Sequence, residues 1–300
     1  MAKLRDWNLK ETPEPSILSD SRSSSEESKK QGSEFSQDQD PWTSPSITLD
    51  QVRVVSGAFT VVEQASAMFP PGKCSVLMGV AGSGKSTILK TAAGLTVPES
   101  GQVLMNGLDI NTFSRKDELR FRSLSGFVFQ DAALWQDTSA FQNVAMPLRI
   151  HQPDLDPKAL YAKVDSMIRK TGFTDNSNLR PAELSTGEQK LLSLARALVH
   201  EPRLVFMDNP TANIDEDSIE RLYTIIEELK DQEVTLIIAT NISEIAYRFA
   251  DFLGVIRDGK ILAFGEYEDT LNKVEMILSN SLSKLKARGR RGPKEVENEI

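Results

Sequence analysis

The stretch GVAGSGKST, residues 79–87, contains the most informative motif of this chain. It has the spacing G-x-x-x-x-G-K-[S/T] and lies between the apolar run CSVLM and a segment with helical spacing. A glycine-rich turn between a strand and a helix lets backbone N–H groups close around phosphate oxygens, and the helix adds its positive dipole end. The pattern predicts a phosphate-binding loop in which Lys85 reaches the β- and γ-phosphates of ATP and Ser86 binds Mg²⁺. The predicted ATP-binding residues are Gly79, Val80, Ala81, Gly82, Ser83, Gly84, Lys85, Ser86 and Thr87.

A second stretch, LVFMDNPTANID at residues 204–215, predicts a metal-facing carboxylate. Apolar residues run directly into Asp208, as in a buried strand that ends on a ligand for Mg²⁺, and this contact is usually made through water. Asn209 then stands where a nucleotide-hydrolysing site would place a carboxylate that activates water. A side-chain amide can orient a water molecule but cannot accept its proton.

The composition excludes several classes of protein. A hydrophobic fraction of 39% over 300 residues is enough for a sizeable core. A formal charge of −8 argues against a nucleic-acid partner, because such proteins usually have a basic balance. The single cysteine, Cys74, excludes an intramolecular disulfide, fits a reducing compartment and is expected to be a buried core thiol.

The two ends of the chain differ from its middle. Residues 1–46 are rich in Ser, Asp, Glu and Pro, so we expect a disordered, solvated extension, with a phosphorylated or partner-binding tail as the alternative. Residues 272–300 are basic and then acidic; a frayed terminus is expected, and binding to anionic lipid is the alternative. We find no signal-peptide pattern and no 18-residue apolar run, which favours a cytoplasmic protein that reaches a membrane only through a partner.

Between these ends, strand and helix patterns alternate. This order predicts an α/β domain with a mostly parallel sheet and helices on its faces, interrupted at about residues 131–185 by a helical insertion. The predicted strands lie at 47–55, 59–69, 74–80, within 98–110, at 125–130, 203–208, 234–240, 252–259 and 260–265. The predicted helices lie at 84–95, 156–173, 187–200, 217–230 and 243–250.

With these motifs in order, residues 47–271 resemble the ATP-binding cassette (ABC) ATPases. FVFQD is similar to the family's Q-loop, with Gln130 as its glutamine, and LSTGEQKLLSLARAL to its signature, whose usual form is L-S-G-G-Q. LVFMDNP corresponds to the Walker B strand, TANID to the D-loop with Asp215, and IIATN brings Asn241 to the switch position.

The resemblance implies an ABC-type P-loop fold: a RecA-like core, an antiparallel β subdomain and an inserted helical subdomain. It implies ATP and Mg²⁺ as ligands, with Ser86, Gln130 and Asp208 around the metal and Gln130 also near the attacking water. It further implies a head-to-tail dimer in which each ATP lies between one phosphate loop and the partner's signature. The signature residues that would act across that interface are Ser185, Thr186, Gly187 and Glu188.

The chain departs from the family pattern at the catalytic positions. Asn209 replaces the catalytic Glu and Asn241 the switch His, which predicts slow hydrolysis, since general acid–base help is worth about 100- to 10,000-fold. Glu188 replaces the signature Gln and would bring negative charge towards a triphosphate unless it points away or is paired. The adenine-stacking aromatic aligns near Ser56, which cannot stack, and Phe59 is a nearby substitute.

Three functions follow from this pattern. The segment GFVFQDAALWQDTSAFQNVAMPLRIH is most similar to the ATPase subunits of Mla/Mce-type lipid transporters. The predicted function is therefore an ATP-binding subunit that drives or gates lipid transport, with integral-membrane permease subunits, a second identical or paralogous ATPase, and a substrate-binding lipid-transfer protein as partners. The alternative is a non-hydrolysing structural or regulatory subunit paired with an active paralogue. ABC proteins of chromosome maintenance or translation fit poorly, because only about 55 residues separate Gln130 from the signature and the chain has one cassette.

Overall fold

The computed structural model describes residues 43–173 and 177–274, which form two sheets and a helical insertion. The strands are β1 Ile47–Ser56, β2 Phe59–Phe69, β3 Cys74–Met78, β4 Ser100–Met105, β5 Leu108–Asp109, β6 Ser125–Val128, β7 Leu204–Asp208, β8 Thr235–Thr240, β9 Phe252–Arg257 and β10 Lys260–Glu266. The helices are α1 Lys85–Ala92, α2 Arg115–Leu124, α3 Ala140–His151, α4 Pro157–Lys170, α5 Thr186–Leu198, α6 Glu216–Asp231 and α7 Ser243–Phe249. Short 3-10 turns lie at Ile110–Thr112 and Pro181–Glu183, and residues 267–274 are helical.

The smaller sheet is antiparallel, in the order β2-β1-β4-β5. In β1, the side chains of Ile47, Leu49, Val52 and Val54 are buried, while most of the residues between them are partly or fully exposed. Such alternation is expected for a strand with one face on a core and one in water. This sheet is the antiparallel β subdomain that the resemblance implied.

The larger sheet has the order β10-β9-β3-β8-β7-β6 and is parallel except for the β9–β10 pair. Strands β7 and β8 are buried along their whole length, as continuous apolar runs predict for a sheet covered on both faces. In the ladders that flank β8, Met78 pairs with Thr240 and Asp208 with Ala239. The carboxyl ends of β3, β8 and β7 therefore meet at one edge of the sheet, and the α/β prediction is confirmed.

The helical insertion has its own core. Helices α3 and α4 pack against α5, which belongs to the sheet layer and so joins the insertion to it. Their shared core includes Val144, Leu148, Val164, Ile168, Leu192, Ala195 and Val199, all buried. This insertion lies where a helical subdomain was predicted.

Helix α5 begins with a reciprocal cap. The Oγ of Ser185 accepts a hydrogen bond from the Glu188 N–H at 3.2 Å, and the Glu188 carboxylate accepts one from the Ser185 N–H at 2.6 Å. This capping box satisfies backbone donors that would otherwise lack a partner at the helix start. Glu188 also places negative charge at the positive end of the helix dipole, which is favourable.

Two features were not fully predicted from sequence. The helix α2 was missed, because Phe121 is its one buried residue and its apolar periodicity is therefore weak. The folded contacts begin before β1, since Thr235 Oγ1 donates a hydrogen bond to the carbonyl of Pro45 at 2.8 Å. The remaining predictions for the two terminal segments fall on residues 1–42 and 275–300 and lie outside the described residues. Within the described ranges, no helix combines the length and apolarity that crossing a bilayer requires.

Cys74 and His200 are two of the titratable groups that are buried in the fold. The predicted core position of Cys74 is confirmed, and burial raises the pKa of its thiol to about 12. The chain's two histidines, His151 and His200, lie together with ring centroids 5.4 Å apart. His200 is 8% exposed; its Nε2–H donates to the carbonyl of Ser125 at 3.1 Å, and its Nδ1 has no hydrogen-bond partner in the described part of the chain.

The His200 imidazole predicts a loss of stability in mild acid. Burial lowers the pKa of His200 to about 4, helped by His151 and opposed by the Ser125 hydrogen bond and by Glu201. Because the unfolded chain protonates near pH 6.5, stability is fully present above that pH and falls as pH drops towards 4. Between these two pKa values, one proton lowers the free energy of unfolding by about 1.4 kcal/mol for each unit that the pH falls.

Urea unfolding between pH 7.5 and 4.5 checks this expectation. His200→Gln keeps a donor for the Ser125 carbonyl but removes the titrating group, so its stability should fall less steeply than that of the wild type. His151→Gln, the matched control, should leave most of the fall in place. If the free energy of unfolding fell equally steeply with pH in the wild type and in His200→Gln, His200 would not be the group responsible for the loss of stability.

The capping box makes a separate prediction about Glu188. Glu188→Ala removes the acceptor for the Ser185 N–H and should lower the free energy of unfolding by about 1 kcal/mol. Glu188→Gln keeps an acceptor and loses only the charge, so it should lie between the alanine variant and the wild type. Equal stability of all three proteins in urea would exclude the capping role.

Candidate functional site

The loop 79–87 connects β3 to α1 and depends on two glycines. A Cβ at Gly79 would lie 2.3 Å from the carbonyl oxygen of Ile256, so no larger residue fits there without moving the backbone. Gly84 has φ +98° at the N-cap of α1, a left-handed conformation that glycine adopts at little cost. The loop is thereby held against β9 while its N–H groups surround the start of a helix.

Lys85 lies inside this loop. Its Nζ donates to the carbonyls of Gly79 at 2.7 Å and Val80 at 2.8 Å, and the residue is 5% exposed. Burial lowers the pKa of Lys85 from its ordinary value, and the nearby Asp208 opposes that shift. A cation next to a helix N-terminus is suited to binding phosphate.

Ser86 and Asp208 form the polar centre of the site. The Ser86 hydroxyl donates to Oδ1 of Asp208 at 2.8 Å, and Asp208 is 2% exposed at the end of β7. Gln130, just beyond β6, presents its Oε1 to the neighbouring Asn209. A hydroxyl, a carboxylate and an amide oxygen make an all-oxygen donor set, which fits a hard cation such as Mg²⁺.

Asn209 connects these groups. Its Nδ2 donates to Oε1 of Gln130 at 2.8 Å and lies 3.5 Å from Oδ1 of Asp208, while its backbone N–H donates to the carbonyl of Ala239. The residue has φ +43°, a left-handed conformation that Asn tolerates better than most side chains. The side-chain amide of Asn209 therefore lacks a basic group, and it also occupies the Gln130 oxygen with a hydrogen bond.

One cavity of about 520 Å³ contains most of the predicted site. Residues 81–87, Gln130, Asn209 and Asn241 line it, so the structure brings together the phosphate loop and both positions at which asparagine replaces an expected catalytic residue. Four further lining residues were not predicted: Val61, Thr211, Ala212 and Ile242. Thr211 and Ala212 lie in the motif TANID, of which only Asp215 was named as a site residue, and Ile242 directly follows Asn241.

The signature residues lie elsewhere. Within the described residues, the cavity lining contains none of Ser185–Glu188. Instead, a Cβ at Gly187 would lie 3.1 Å from the carbonyl of Asn213, so the signature packs on the loop that follows β7. Asp215 in that loop caps α6 through a hydrogen bond from the Ser218 N–H, which lowers the pKa of its carboxyl. The capping box keeps the Glu188 carboxylate on the backbone of its own helix.

The adenine contact also remains a prediction. Ser56 and Phe59 face each other across the turn between β1 and β2, and Phe59 is 78% exposed. Neither belongs to the cavity lining within the described residues, although Val61 from the same hairpin does.

The chain after Gln130 is clamped from two sides. The buried guanidinium of Arg196 donates to the carbonyls of Ala133 at 2.7 Å and Ala132 at 3.0 Å, two residues with left-handed backbones. Asn143, fully buried in α3, accepts from the Trp135 N–H at 2.8 Å and donates to the Trp135 carbonyl at 3.0 Å. Sequence periodicity carried no signal for these side-chain contacts.

These clamps form one wall of an apolar groove of about 490 Å³ between the sheet layer and the helical insertion. Arg196 lies over the Trp135 ring at 5.2 Å from its centroid, while Trp135 and Ile150 are 49% and 57% exposed. Other lining residues are Leu95, Phe127, Phe129, Met146, Pro147 and His200.

Comparisons with known proteins agree with this geometry. The family model described as ABC transporter matches residues 62–212, half of the chain. The lipoprotein-releasing system ATP-binding protein LolD of Colwellia psychrerythraea is 38% identical over 172 residues, which cover 57% of this chain and 66% of that protein.

Two solved structures share the fold. The bacterial ABC transporter cassette MJ0796, solved as a dimer, has a TM-score of 0.70 at 24% identity over 74% of this chain and 98% of its own. The cbiO1 subunit from Clostridium perfringens has a TM-score of 0.62 at 25% identity over 79% and 94%. The family model, the relative and the two folds agree with the order of the motifs, and the chain belongs to the ABC transporter family.

Proposed function

We propose that this chain is the ATP-binding subunit of an ABC transporter, works as a head-to-tail dimer at the cytoplasmic face of a membrane, and serves a lipid-linked cargo. The observation that carries the proposal is one cavity lined by Lys85, Ser86 and Gln130, with Asp208 hydrogen-bonded to Ser86.

The cavity supplies what a nucleoside triphosphate needs. Lys85 would exchange its two carbonyl partners for phosphate oxygens, and the N–H groups of residues 81–87 would bind the remaining charge. Ser86, Asp208 and Gln130 would hold Mg²⁺, which neutralises phosphate charge when bound. The Ser86–Asp208 hydrogen bond keeps two of these oxygens together beforehand.

The same cavity is poorly equipped for rapid hydrolysis. Asn209 can orient a water molecule but cannot take its proton, and Asn241 can donate a hydrogen bond to a phosphate but cannot carry charge. Both line the cavity. We therefore infer that Mg-ATP binds well and is hydrolysed slowly.

The signature supports a second subunit. Ser185 and the N-terminus of α5 lie outside this chain's own cavity, so they are available to a nucleotide held by another copy or by a paralogue. The Ser185 oxygen accepts from the Glu188 N–H and keeps its own hydrogen to donate to a phosphate. Because the Glu188 carboxylate is bound to the helix start, its charge is partly offset there.

The apolar groove supports a membrane partner. A half-exposed Trp135 and Ile150 beside an apolar cavity of about 490 Å³ favour an apolar helical segment as the occupant. We assign this occupant to an integral-membrane permease subunit. The groove wall is the chain segment that begins at Gln130, so the partner would contact the same segment that reaches the nucleotide.

The proposed cargo rests on the relatives. The 38% identical relative is named for lipoprotein release, and the segment after the Q-loop resembles Mla/Mce-type lipid transporters. Both point to a lipid-linked cargo, with a lipid-transfer protein as a further partner.

The alternative is a subunit that binds ATP and does not turn it over, paired with an active paralogue. The contact between Asn209 and Gln130 favours it, because one amide both lacks a base and engages the glutamine oxygen. Phosphate release by the complex purified from its native membrane, compared with a Lys85→Ala complex, separates the two. Release above that background supports the transport ATPase, and bound ATP without release supports the alternative.

Restoring the carboxylate tests the catalytic interpretation. Asn209→Glu should raise phosphate release at saturating Mg-ATP by about 100-fold, since a general base contributes about 100- to 10,000-fold. Asn209→Gln is the matched control, because it has the same length and backbone strain without a base. No gain in Asn209→Glu, alone or with Asn241→His, would place the defect outside these two positions.

The groove can be tested by membrane association in the native cell. Ile150→Glu places a charge where a docked partner would bury it, and it should lower the membrane-bound fraction of the chain by about tenfold, since central apolar anchors are worth more than 1 kcal/mol. Tyr247→Glu changes a residue that is 77% exposed and outside the groove, so it should behave like the wild type. ATP affinity should be unchanged in both. An Ile150→Glu protein that remains membrane-bound would exclude the groove as the docking site.

A further inference from the structure

Lys190 is a buried lysine on the first turns of α5, two residues after the signature. It is 4% exposed, and its Nζ donates to the carbonyl of Phe129 at 2.6 Å. The same Nζ lies 3.4 Å from the carbonyl of Gln130 and 3.3 Å from that of Asp208. One ammonium group therefore bridges the end of β7 and the segment that follows β6.

Two of these three carbonyls belong to Gln130 and Asp208, the residues proposed above as metal ligands. Gln130 and Asp208 come from chain segments 78 positions apart, and Lys190 contacts the backbone of both. The Gln130 side chain lines the cavity, and the Asp208 carboxylate accepts a hydrogen bond from Ser86, which lines it as well. Burying an ammonium group costs free energy, and carbonyl oxygens offset that cost only where several of them surround the same group. An apolar residue of similar length would fill the space without joining the two segments.

We propose that Lys190 is a positioning residue that sets the spacing of Gln130 and Asp208 for Mg²⁺. This inference rests on the proposed function, because it assumes that the cavity binds Mg-ATP. It also gives helix α5 two roles. Its N-terminus, which carries the signature, would contact the nucleotide of a partner subunit, and Lys190 in the next turn would position the metal ligands of the chain's own site.

The chain provides a matched control one residue away. Gln189 lies in the same helix, and its Nε2 donates to the carbonyls of Pro181 at 2.9 Å and Leu184 at 3.1 Å. Both residues thus tie a side chain of α5 to backbone carbonyls. Only Lys190 contacts the segments that carry Gln130 and Asp208.

The experiment measures the affinity for ATP in Mg²⁺ and in EDTA by calorimetry, on the full chain and on Lys190→Met, Lys190→Arg and Gln189→Met. The readout is the ratio of the two affinities, which a general loss of stability does not change. Residues that orient metal ligands typically alter metal affinity by about 10- to 100-fold. In Lys190→Met, the ratio of the ATP affinity in Mg²⁺ to that in EDTA should therefore fall by about tenfold, while the ATP affinity in EDTA stays at the wild-type value.

Lys190→Arg keeps the charge and the donors, so its ratio should stay close to that of the wild type, and the ratio of Gln189→Met should equal that of the wild type. A wild-type ratio in Lys190→Met, or an equal loss in Gln189→Met, would overturn the inference and leave the proposed function standing. A wild-type protein that binds no ATP in either buffer would overturn both. Should Lys190→Met not fold, Lys190→Gln takes its place, and a ratio equal to that of the wild type would again overturn the inference.

Discussion

The hydrogen bond between Ser86 and Asp208 joins residues 122 positions apart, and the rest of the site depends on it. It exists because β3 and β7 flank β8 in one parallel sheet, in a register that brings their carboxyl ends to the same edge. All three strands are almost completely buried, so none of them can shift its register without exposing apolar side chains. The position of the phosphate loop relative to the carboxylate is therefore fixed by core packing and requires no ligand.

The substitutions that distinguish this chain fall at that same edge. Asn209 follows β7 and Asn241 follows β8, so both changes lie beyond the strands and leave the core untouched. Asn209 also suits its left-handed backbone, where a longer acidic side chain would be under more strain. The positions of the loop, Ser86 and Asp208 depend on the sheet, whereas position 209, where the family pattern has a proton-accepting Glu, lies outside it.

Much of the fold could be predicted because its signals are local. Alternating burial in β1, continuous apolar runs in β7 and β8, and the glycine spacing of the loop each indicate one structure. Side-chain direction could not be predicted in this way. Glu188 was expected to face a phosphate unless paired, and the structure pairs it with the Ser185 N–H, since the charge of a residue says nothing about which donor it meets. The contacts of Arg196 and Lys190 were likewise invisible, because they end on carbonyls of distant residues.

Helix α5 connects the nucleotide-binding cavity to the apolar groove. Its residues 190–198 are all buried, and two of its cations contact the segment after β6, Lys190 at Phe129 and Arg196 at Ala132 and Ala133. That segment carries Gln130 towards the cavity and Trp135 into the groove. A partner that moved the groove wall would therefore either move Gln130 or break charge-assisted hydrogen bonds to a buried helix. Because breaking such bonds leaves a buried cation unpaired, movement of the glutamine is the less costly response.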